Sequence, residues 1–435
     1  MNVKKIHPYI LIICSFVGVI LIGALLLLLP ISSANNESIG FMDSLFMSTS
    51  AVCVTGLASV SVANSLSTFG QVIMCILMEI GGLSIITIAV FIFAILGAKI
   101  GVSNRILIKE ALNQNSLKGV VGLVKKIIFT TLIIQGAGTI INMIALMPVY
   151  NNDFWHSLYV SIFHSVASFN NAGFDIFGDE SMIGYSSNVL LNATTMVLII
   201  LGGIGFIVID DIIRKRRWKR LTLHTKLTII ITAILVVAGG LLFKAVEHNA
   251  TWLQSFFTSV TCRTAGFATY DMANLSNGGY LICLGLMFIG ASPCSTGGGI
   301  KTTTIIVILI AIYHFATGKP AKAFGRKLPN NVIFKAFVLF VIAFIILIVG
   351  IFLVACLEED ISIQKVIFEC VSAFSTTGLS MGITKSLTVG SKIVLCILML
   401  CGRLGPLTII GVVNKNWMNE SRSDIKYVEE GVYVG

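Results

Sequence analysis

The stretch Ser259-Val260-Thr261-Cys262-Arg263-Thr264-Ala265-Gly266-Phe267 decides the reading of this chain, because its pattern occurs four times. The copies centre on Gly56, Gly173, Gly266 and Gly378. Ten residues before each glycine stands a phenylalanine, Phe46, Phe163, Phe256 or Phe368, and one residue after it stands Leu57, Phe174, Phe267 or Leu379. The residue just before the glycine is small in every copy: Thr55, Ala172, Ala265 or Thr377. Each copy therefore reads as a short apolar helix running into a tight loop. Its glycine can take positive φ and leave backbone carbonyls pointing away from the local chain. Four such loops meeting at one axis make rings of carbonyl oxygens, the arrangement by which a filter replaces a cation's hydration shell. The plainer alternative, four unrelated turns after amphipathic helices, does not account for the shared spacing.

The rest of the chain supplies a membrane setting. Its 435 residues are 56% hydrophobic and only 11% charged, which excludes an ordinary soluble domain. The net charge of +10 does not signal nucleic acid, because the basic residues cluster between apolar runs, where they report orientation. Ten cysteines are scattered, mostly within apolar runs, as at Cys14, Cys75, Cys283 and Cys396, without a CxxC pair, and read as small core residues. The first apolar run follows Lys4, Lys5 and His7 but is too long for a signal-peptide core, so it reads as a retained span.

Eight full-length apolar spans are expected, at about 9–29, 71–96, 120–146, 189–209, 227–243, 280–313, 332–356 and 393–413. Between the members of each pair lies a segment of about 14 residues, roughly 20 Å as a helix, too short for a hydrocarbon core of about 30 Å. Such a segment enters and leaves on one side, and its irregular backbone is tolerated only inside protein or beside water. The expected fold is thus an all-α polytopic membrane protein of four span, re-entrant helix, span repeats around a pseudo-fourfold pore. The repeats fall at 1–104, 105–218, 219–325 and 326–413, followed by a cytoplasmic tail at 414–435.

Orientation follows from Lys and Arg in short connections. Lys99, Arg105, Lys109, Lys118, Lys125 and Lys126, the run Arg214 to Arg220, and Lys319, Lys322, Arg326, Lys327 and Lys335 mark one side as cytoplasmic. Both termini fall on that side. The opposite loops carry Glu37, Asp153, Asp175, Asp179, Glu180, Asp271, Glu358, Glu359 and Asp360, an acidic outer vestibule or a set of solvated loops. Short helices entering from outside direct their partially negative C-terminal ends at the membrane centre, a field that favours a cation. The residues expected to line the filter are Val54, Thr55 and Gly56, Asn171, Ala172 and Gly173, Thr264, Ala265 and Gly266, and Thr376, Thr377 and Gly378.

Every second span is interrupted by glycine, at Gly81-Gly82, at Gly202-Gly203-Ile204-Gly205, from Gly290 onward, and at Gly402 with Gly405-Pro406. The third interruption, 290–303, places Pro293 and the run Gly297-Gly298-Gly299 inside one apolar span and cannot be regular helix. Ile300 separates Gly299 from Lys301, so the stretch fails the phosphate-loop spacing. Beneath a filter it reads as a gate, with Pro293, Gly297, Gly298, Gly299 and Lys301 its key residues; a structural kink filled by neighbouring helices is the alternative. Arg403 sits in the last apolar span, where a guanidinium needs a cavity or a partner. It is expected to bond carbonyls around Gly297 to Gly299 or to obstruct a cation path; a helix-packing role through backbone carbonyls is the alternative. Glu79 and Glu369 read as helix-pairing acids or ion contacts, and Arg263 as a brace for its loop through carbonyls or carboxylates. Asp210 and Asp211 read as locally paired beside Arg214 and Arg217.

These residues together resemble the superfamily of potassium transporters that includes the Trk, Ktr and plant HKT proteins. The four loop glycines, the interruption from Pro293 to Thr303 and Arg403 carry the resemblance over nearly the whole chain. Eight spans without additional N-terminal ones resemble most the Ktr membrane subunit, KtrB or KtrD. The resemblance implies potassium uptake, commonly sodium-dependent, by a homodimer in the cell membrane, each subunit with its own pore and K+ held at the filter carbonyls. It also implies a cytoplasmic ring of nucleotide-binding RCK subunits, KtrA-like or KtrC-like, that controls the gate. No cofactor is then expected on this chain, and nucleotide is expected on the partner. Gly56 fits the potassium-preferring pattern, whereas HKT proteins with serine at the first filter position favour sodium. The alternative is a secondary transporter with broken helices that couples Na+ or H+ to a small solute. It predicts inverted halves, against four copies in one direction here. An intramembrane enzyme is disfavoured, since no HExxH, paired-Asp or Ser/His arrangement stands at suitable positions.

Overall fold

The computed structural model describes residues 8–95, 120–406, 408 and 411. Both termini, the tail 414–435 and the basic residues Lys99, Arg105, Lys109 and Lys118 lie outside the described residues. The chain runs as a long helix, a short helix and a broken helix, four times over. The long helices are Pro8–Leu28, Val120–Leu146, Leu223–Val246 and Asn330–Leu357. Each has the length and hydropathy to cross a membrane, and only 22% to 33% of its most apolar window is buried, so most of its surface faces outward as lipid contact requires.

The short helices are Phe41–Val52, Phe154–Phe169, Trp252–Thr261 and Ile363–Ser375. Each is more exposed at its start and buried nearly all round toward its end, and each packs on the long helix before it. Hydroxyl bonds fix three of these contacts: Ser48 Oγ donates to Ile20 O over 2.7 Å, Ser259 Oγ to Val236 O over 2.9 Å, and Asn142 Nδ2 to Ser165 Oγ over 2.9 Å. Phe46, Phe163 and Phe368 are buried, as a fixed register before the loop glycine demands. Phe256 departs from the pattern. It is half-buried, stacked on Trp252 with ring centroids 6.3 Å apart, and Phe257 fills the interior instead.

The second spans break more sharply than glycine alone suggests. Thr68–Leu83 and the helix from Ile85 meet at 91°, and Val189–Gly203 and Phe206–Lys215 at 94°. In the third, Asn277–Phe288 and Thr302–Thr317 are separated by the irregular stretch 289–301. The fourth, Val389–Leu404, ends at Gly405 with φ +77°. A leucine of each broken helix lies where a glycine of the adjoining long helix leaves room. A Cβ on Gly23, Gly138, Gly239 or Gly350 would come within 2.7 to 2.9 Å of Leu77, Leu198, Leu286 or Leu398. Small residues of this kind let helices approach closely where lipid offers no hydrophobic drive.

Of the acids in these loops, Glu37, Asp153, Asp179, Glu180, Asp271, Glu359 and Asp360 are exposed, as solvated loops require, and several acids also cap helix starts. Asp153 accepts from His156 N–H at 3.1 Å and Asp271 from Ala273 N–H at 2.9 Å, capping short helices. Glu358 is buried and accepts Thr388 N–H and Oγ1, both at 2.8 Å, at the start of the last helix. Glu247 does the same for Ser276, at 2.8 and 2.7 Å. The reason is the open N–H groups of the first helical turn, which need acceptors when helices restart inside a protein. On the other side, Asp210 pairs with Arg214 at 2.9 Å and Lys126 at 3.2 Å, and Asp211 with Lys215 at 2.6 Å, so the local partner of Asp211 is Lys215 rather than Arg217. The basic stretch after Thr317 forms a hairpin, Lys322–Ala323 against Arg326–Lys327.

Candidate functional site

The four loop glycines form a closed ring. A Cβ built on Gly56 would lie 2.6 Å from the carbonyl oxygen of Ala172, and one on Gly173 2.6 Å from that of Ala265. Gly266 faces the carbonyl of Thr377 and Gly378 that of Thr55, both closer still. The order 56, 173, 266, 378 and back to 56 therefore runs once around an axis, with each α-carbon against its neighbour's backbone. All four glycines have positive φ, +96°, +67°, +84° and +90°. Only a residue without Cβ fits both the angle and the approach.

The loop N–H groups are consumed on the helix side. Gly56 N–H donates to Ser50 Oγ over 3.1 Å and Gly378 N–H to Ser372 Oγ over 3.0 Å. Thr55 N–H donates to Ser50 O, Ala172 N–H to Ala167 O and Thr377 N–H to Ser372 O, each over 2.8 Å. Backbone donors satisfied outward leave carbonyls free to face the axis. Ser50 and Ser372 were not legible as site residues beforehand; their one signal is a serine six positions before the glycine in two copies.

Beside the ring lies the stretch 290–301, tied to the other three broken helices. Ser292 N–H donates to Gly203 O over 3.0 Å, Thr296 N–H to Gly202 O over 3.2 Å, and Phe206 N–H to Cys294 O over 2.8 Å. Gly299 N–H donates to Gly402 O over 3.2 Å. The first broken helix is reached through Arg403, whose guanidinium donates to the carbonyls of Thr296, Gly81 and Gly82. Arg403 therefore holds the stretch one residue earlier than Gly297 to Gly299, and joins it to a helix more than 300 residues away in sequence. Lys301 Nζ turns back onto the Gly297 carbonyl at 2.8 Å. These are charge-assisted bonds in buried surroundings, the stronger kind.

Away from the ring the stretch borders a cavity of about 570 Å³, lined by Pro293, Cys294, Gly297, Gly299, Lys301 and Arg403 among others. Lys335 and His224 also line it, and no carboxylate does among the described lining residues. The stretch thus stands between the glycine ring and a cavity whose fixed charge is positive.

The remaining site candidates fall behind the ring. Glu79 accepts from Gln135 Nε2 at 2.8 Å and from Asn170 Nδ2 at 2.6 Å, holding the residue next to Asn171. Glu369 accepts from the Thr384 hydroxyl and joins a short helix to the loop beyond Gly378. Glu79 is a helix-pairing acid by geometry and Glu369 ties its helix to a connection; neither lines the cavity. Arg263 is buried and its described hydrogen bond is to the Thr232 hydroxyl, 3.5 Å away, not to a carbonyl or carboxylate of its own loop. Arg263 stands in the loop after the third short helix and reaches the long helix Leu223–Val246, so it braces loop to helix.

The sequence profile of the TrkH family, described as "Cation transport protein", matches residues 2–421. The potassium/sodium uptake protein NtpJ of Enterococcus hirae is 38% identical, with 99% of this chain and 98% of that protein covered. The Ktr system potassium uptake protein B of Bacillus subtilis is also 38% identical, over 100% of this chain and 98% of that one. Its namesake from Vibrio alginolyticus is 35% identical over 98% and 94%. The crystal structure of the potassium transporter TrkH from Vibrio parahaemolyticus superimposes with a TM-score of 0.74, covering 96% of this chain and 86% of that one at 21% identity, which speaks for the fold. This chain belongs to the TrkH family of cation transport proteins.

Proposed function

We propose that this chain is the potassium-translocating membrane subunit of a Ktr-type uptake system, conducting K+ inward through a filter built on Gly56, Gly173, Gly266 and Gly378. The observation that carries the reading is the closed ring of four positive-φ glycines, each against its neighbour's carbonyl. Residues 54–56, 171–173, 264–266 and 376–378 supply the carbonyls for K+, and the repeats run 1–104, 105–218, 219–325 and 326–413. One conformationally special glycine per loop, instead of two, gives fewer coordination rings than a TVGYG filter and a more modest preference over Na+.

The stretch 290–303 is the gate in this reading, held closed by its tethers. Its tethers to the breaks at Gly202, Gly402 and, through Arg403, Gly81 support this, as do the cations Lys301 and Arg403 between ring and cavity. Opening moves the stretch aside, with Gly297, Gly298 and Gly299 supplying the backbone freedom. Control comes from a cytoplasmic ring of nucleotide-binding subunits docked on the exposed basic segments, Arg214 to Arg220 and Arg326-Lys327. The charge of those segments supports an acidic partner surface, and the relatives' designation as parts of a Ktr system supports a partnered assembly. Sodium-dependent K+ uptake is part of this reading; the Enterococcus hirae relative is named a potassium/sodium uptake protein. A homodimer in the cell membrane, basic face inward, completes the reading.

Flux in proteoliposomes tests it, with K+, Na+ and a larger organic cation under an imposed potential worth about 2.3 kcal/mol per charge at 100 mV. K+ is expected to enter fastest, Na+ more slowly and the organic cation not at all. Equal entry of all three overturns the filter.

A further inference from the structure

Three successive residues of the gate stretch meet three of the four residues that stand two positions before a ring glycine. Thr296 Oγ1 lies 3.3 Å from the Asn171 amide. The α-carbon of Gly297 sits against the Thr264 hydroxyl. Gly298 N–H donates to Thr376 Oγ1 over 2.9 Å. The Asn171 amide also reaches Thr264 Oγ1 at 3.2 Å, so it touches filter loop and gate stretch at once. Turned so that both ends are satisfied, it donates to Thr296 Oγ1, to Phe169 O and to Ile199 O, and accepts from Thr264. The fourth residue at this position is Val54, which has no polar side-chain atom to offer.

All four residues hold left-handed backbone, with φ of 57° at Val54, 58° at Asn171, 75° at Thr264 and 53° at Thr376. That region is uncommon for non-glycine residues and most strained for β-branched ones, which three of the four are. Strain held at a buried position points to a use for the conformation. Here it aims the side chains of Asn171, Thr264 and Thr376, all fully buried, at the stretch beside them.

Resting on the reading of ring as filter and stretch as gate, we propose that Asn171, Thr264 and Thr376 are a latch that couples the two. The closed gate is held in part by the filter's own side chains, and its departure removes packing from Thr264 and frees one bond of the Asn171 amide and the Thr376 hydroxyl at the filter's inner end. Those groups then need a new partner, water or a permeating cation, because unsatisfied buried polar groups are costly. Gate closure and ion occupancy of the inner filter therefore compete. The three are positioning residues for the gate, in addition to any contact their carbonyls make with the ion.

The test is a comparison of Thr376→Val and Thr376→Ser, each in the full-length chain and in a chain shortened by residues 296–299, reconstituted without partner subunits. Valine keeps the branching and removes the acceptor; serine keeps the acceptor. Loss of one hydrogen bond of ordinary net strength predicts about a fivefold rise in partner-independent K+ flux for Thr376→Val in the full-length chain. Thr376→Ser is expected near wild type, and valine is expected to add nothing where 296–299 are gone. The same factor in both backgrounds, or no rise in a protein that elutes as wild type, overturns the latch. A shortened chain that conducts no faster than wild type overturns the gate reading itself, and the latch with it. Thr296→Val supplies an arm from the gate side: it removes the hydroxyl that meets Asn171 and leaves every filter residue untouched, with a rise of the same order expected and an unchanged flux counting against the latch.

Discussion

Replacing Gly56 with serine places a Cβ 2.6 Å from the Ala172 carbonyl oxygen, about 0.8 Å short of the 3.4 Å at which ordinary contact begins. The same Cβ would lie 3.0 Å from the Gly173 α-carbon. Neither neighbour is the tip of a flexible side chain, so the strain is absorbed by backbone shifts in two loops of the ring. To it is added the cost of φ +96° for a residue with a side chain, about 1–3 kcal/mol. The short helices, anchored by buried contacts away from the axis, are not disturbed, so the protein folds and the change is confined to the ring. Discrimination between K+ and Na+ depends on the number and field of the carbonyls around the ion. If about 1.4 kcal/mol of the difference between the two ions is lost with the displaced carbonyl, the permeability ratio falls about tenfold. The assay is the reversal potential or relative flux of K+ and Na+ in proteoliposomes holding protein of wild-type elution volume. Gly378→Ser, where the Thr55 carbonyl is closer, should be at least as severe. Unchanged relative permeability in both folded variants would refute the placement of these glycines at the ion path.

Deleting 296–299 while keeping both flanking helices should raise K+ flux in the absence of partner subunits; a rate no faster than wild type would make the stretch merely structural. Arg403→Gln removes charge-assisted bonds to Thr296, Gly81 and Gly82, each worth about 1.5–3 kcal/mol, and should shift flux the same way but less, with a lowered thermal midpoint. Lys392 Nζ and Asp43 Oδ1, 2.8 Å apart and largely buried, join the last broken helix to the first short helix and close the ring of repeats. Lys392→Met should cost about 1–3 kcal/mol in unfolding of the detergent-solubilised protein, partly recovered on adding Asp43→Asn. Asp175, two residues beyond Gly173, has its pKa pushed up to about 6 by burial, against the opposing pull of Ser181 and the Phe177 N–H. Its carboxylate is charged at neutral pH and gains a proton as external pH falls through about 6, so K+ uptake should fall there, and Asp175→Asn should flatten the profile. For stability the sign is opposite: the folded state binds the extra proton between about 3.8 and 6, so this group's contribution is lost as pH rises through that window.

The sequence by itself determined the fold class and the positions of the four loop glycines, because both are written in one dimension. A span is a run of apolar residues of membrane length, and a re-entrant helix is a run too short to cross; neither needs a partner to be recognised. The interruption at Pro293 to Gly299 was equally plain, since proline and consecutive glycines forbid a helix wherever they stand. What only the tertiary structure decided is which groups complete which. The cyclic order of the ring, the reach of Arg403 to Gly81 and Gly82, the clasp of Lys392 on Asp43 across 349 residues, and the burial of Glu358 against Thr388 left no periodic trace. A charge in an apolar span announces that it must have a partner, but the donor or carbonyl that answers it is a backbone atom or a common polar side chain, present at hundreds of positions. Asn171 and Thr376 show the same limit. Their place two residues before a ring glycine was legible, whereas the direction of their side chains, toward Thr296 and Gly298 of the irregular stretch, depends on left-handed backbone angles that the packed loops alone enforce.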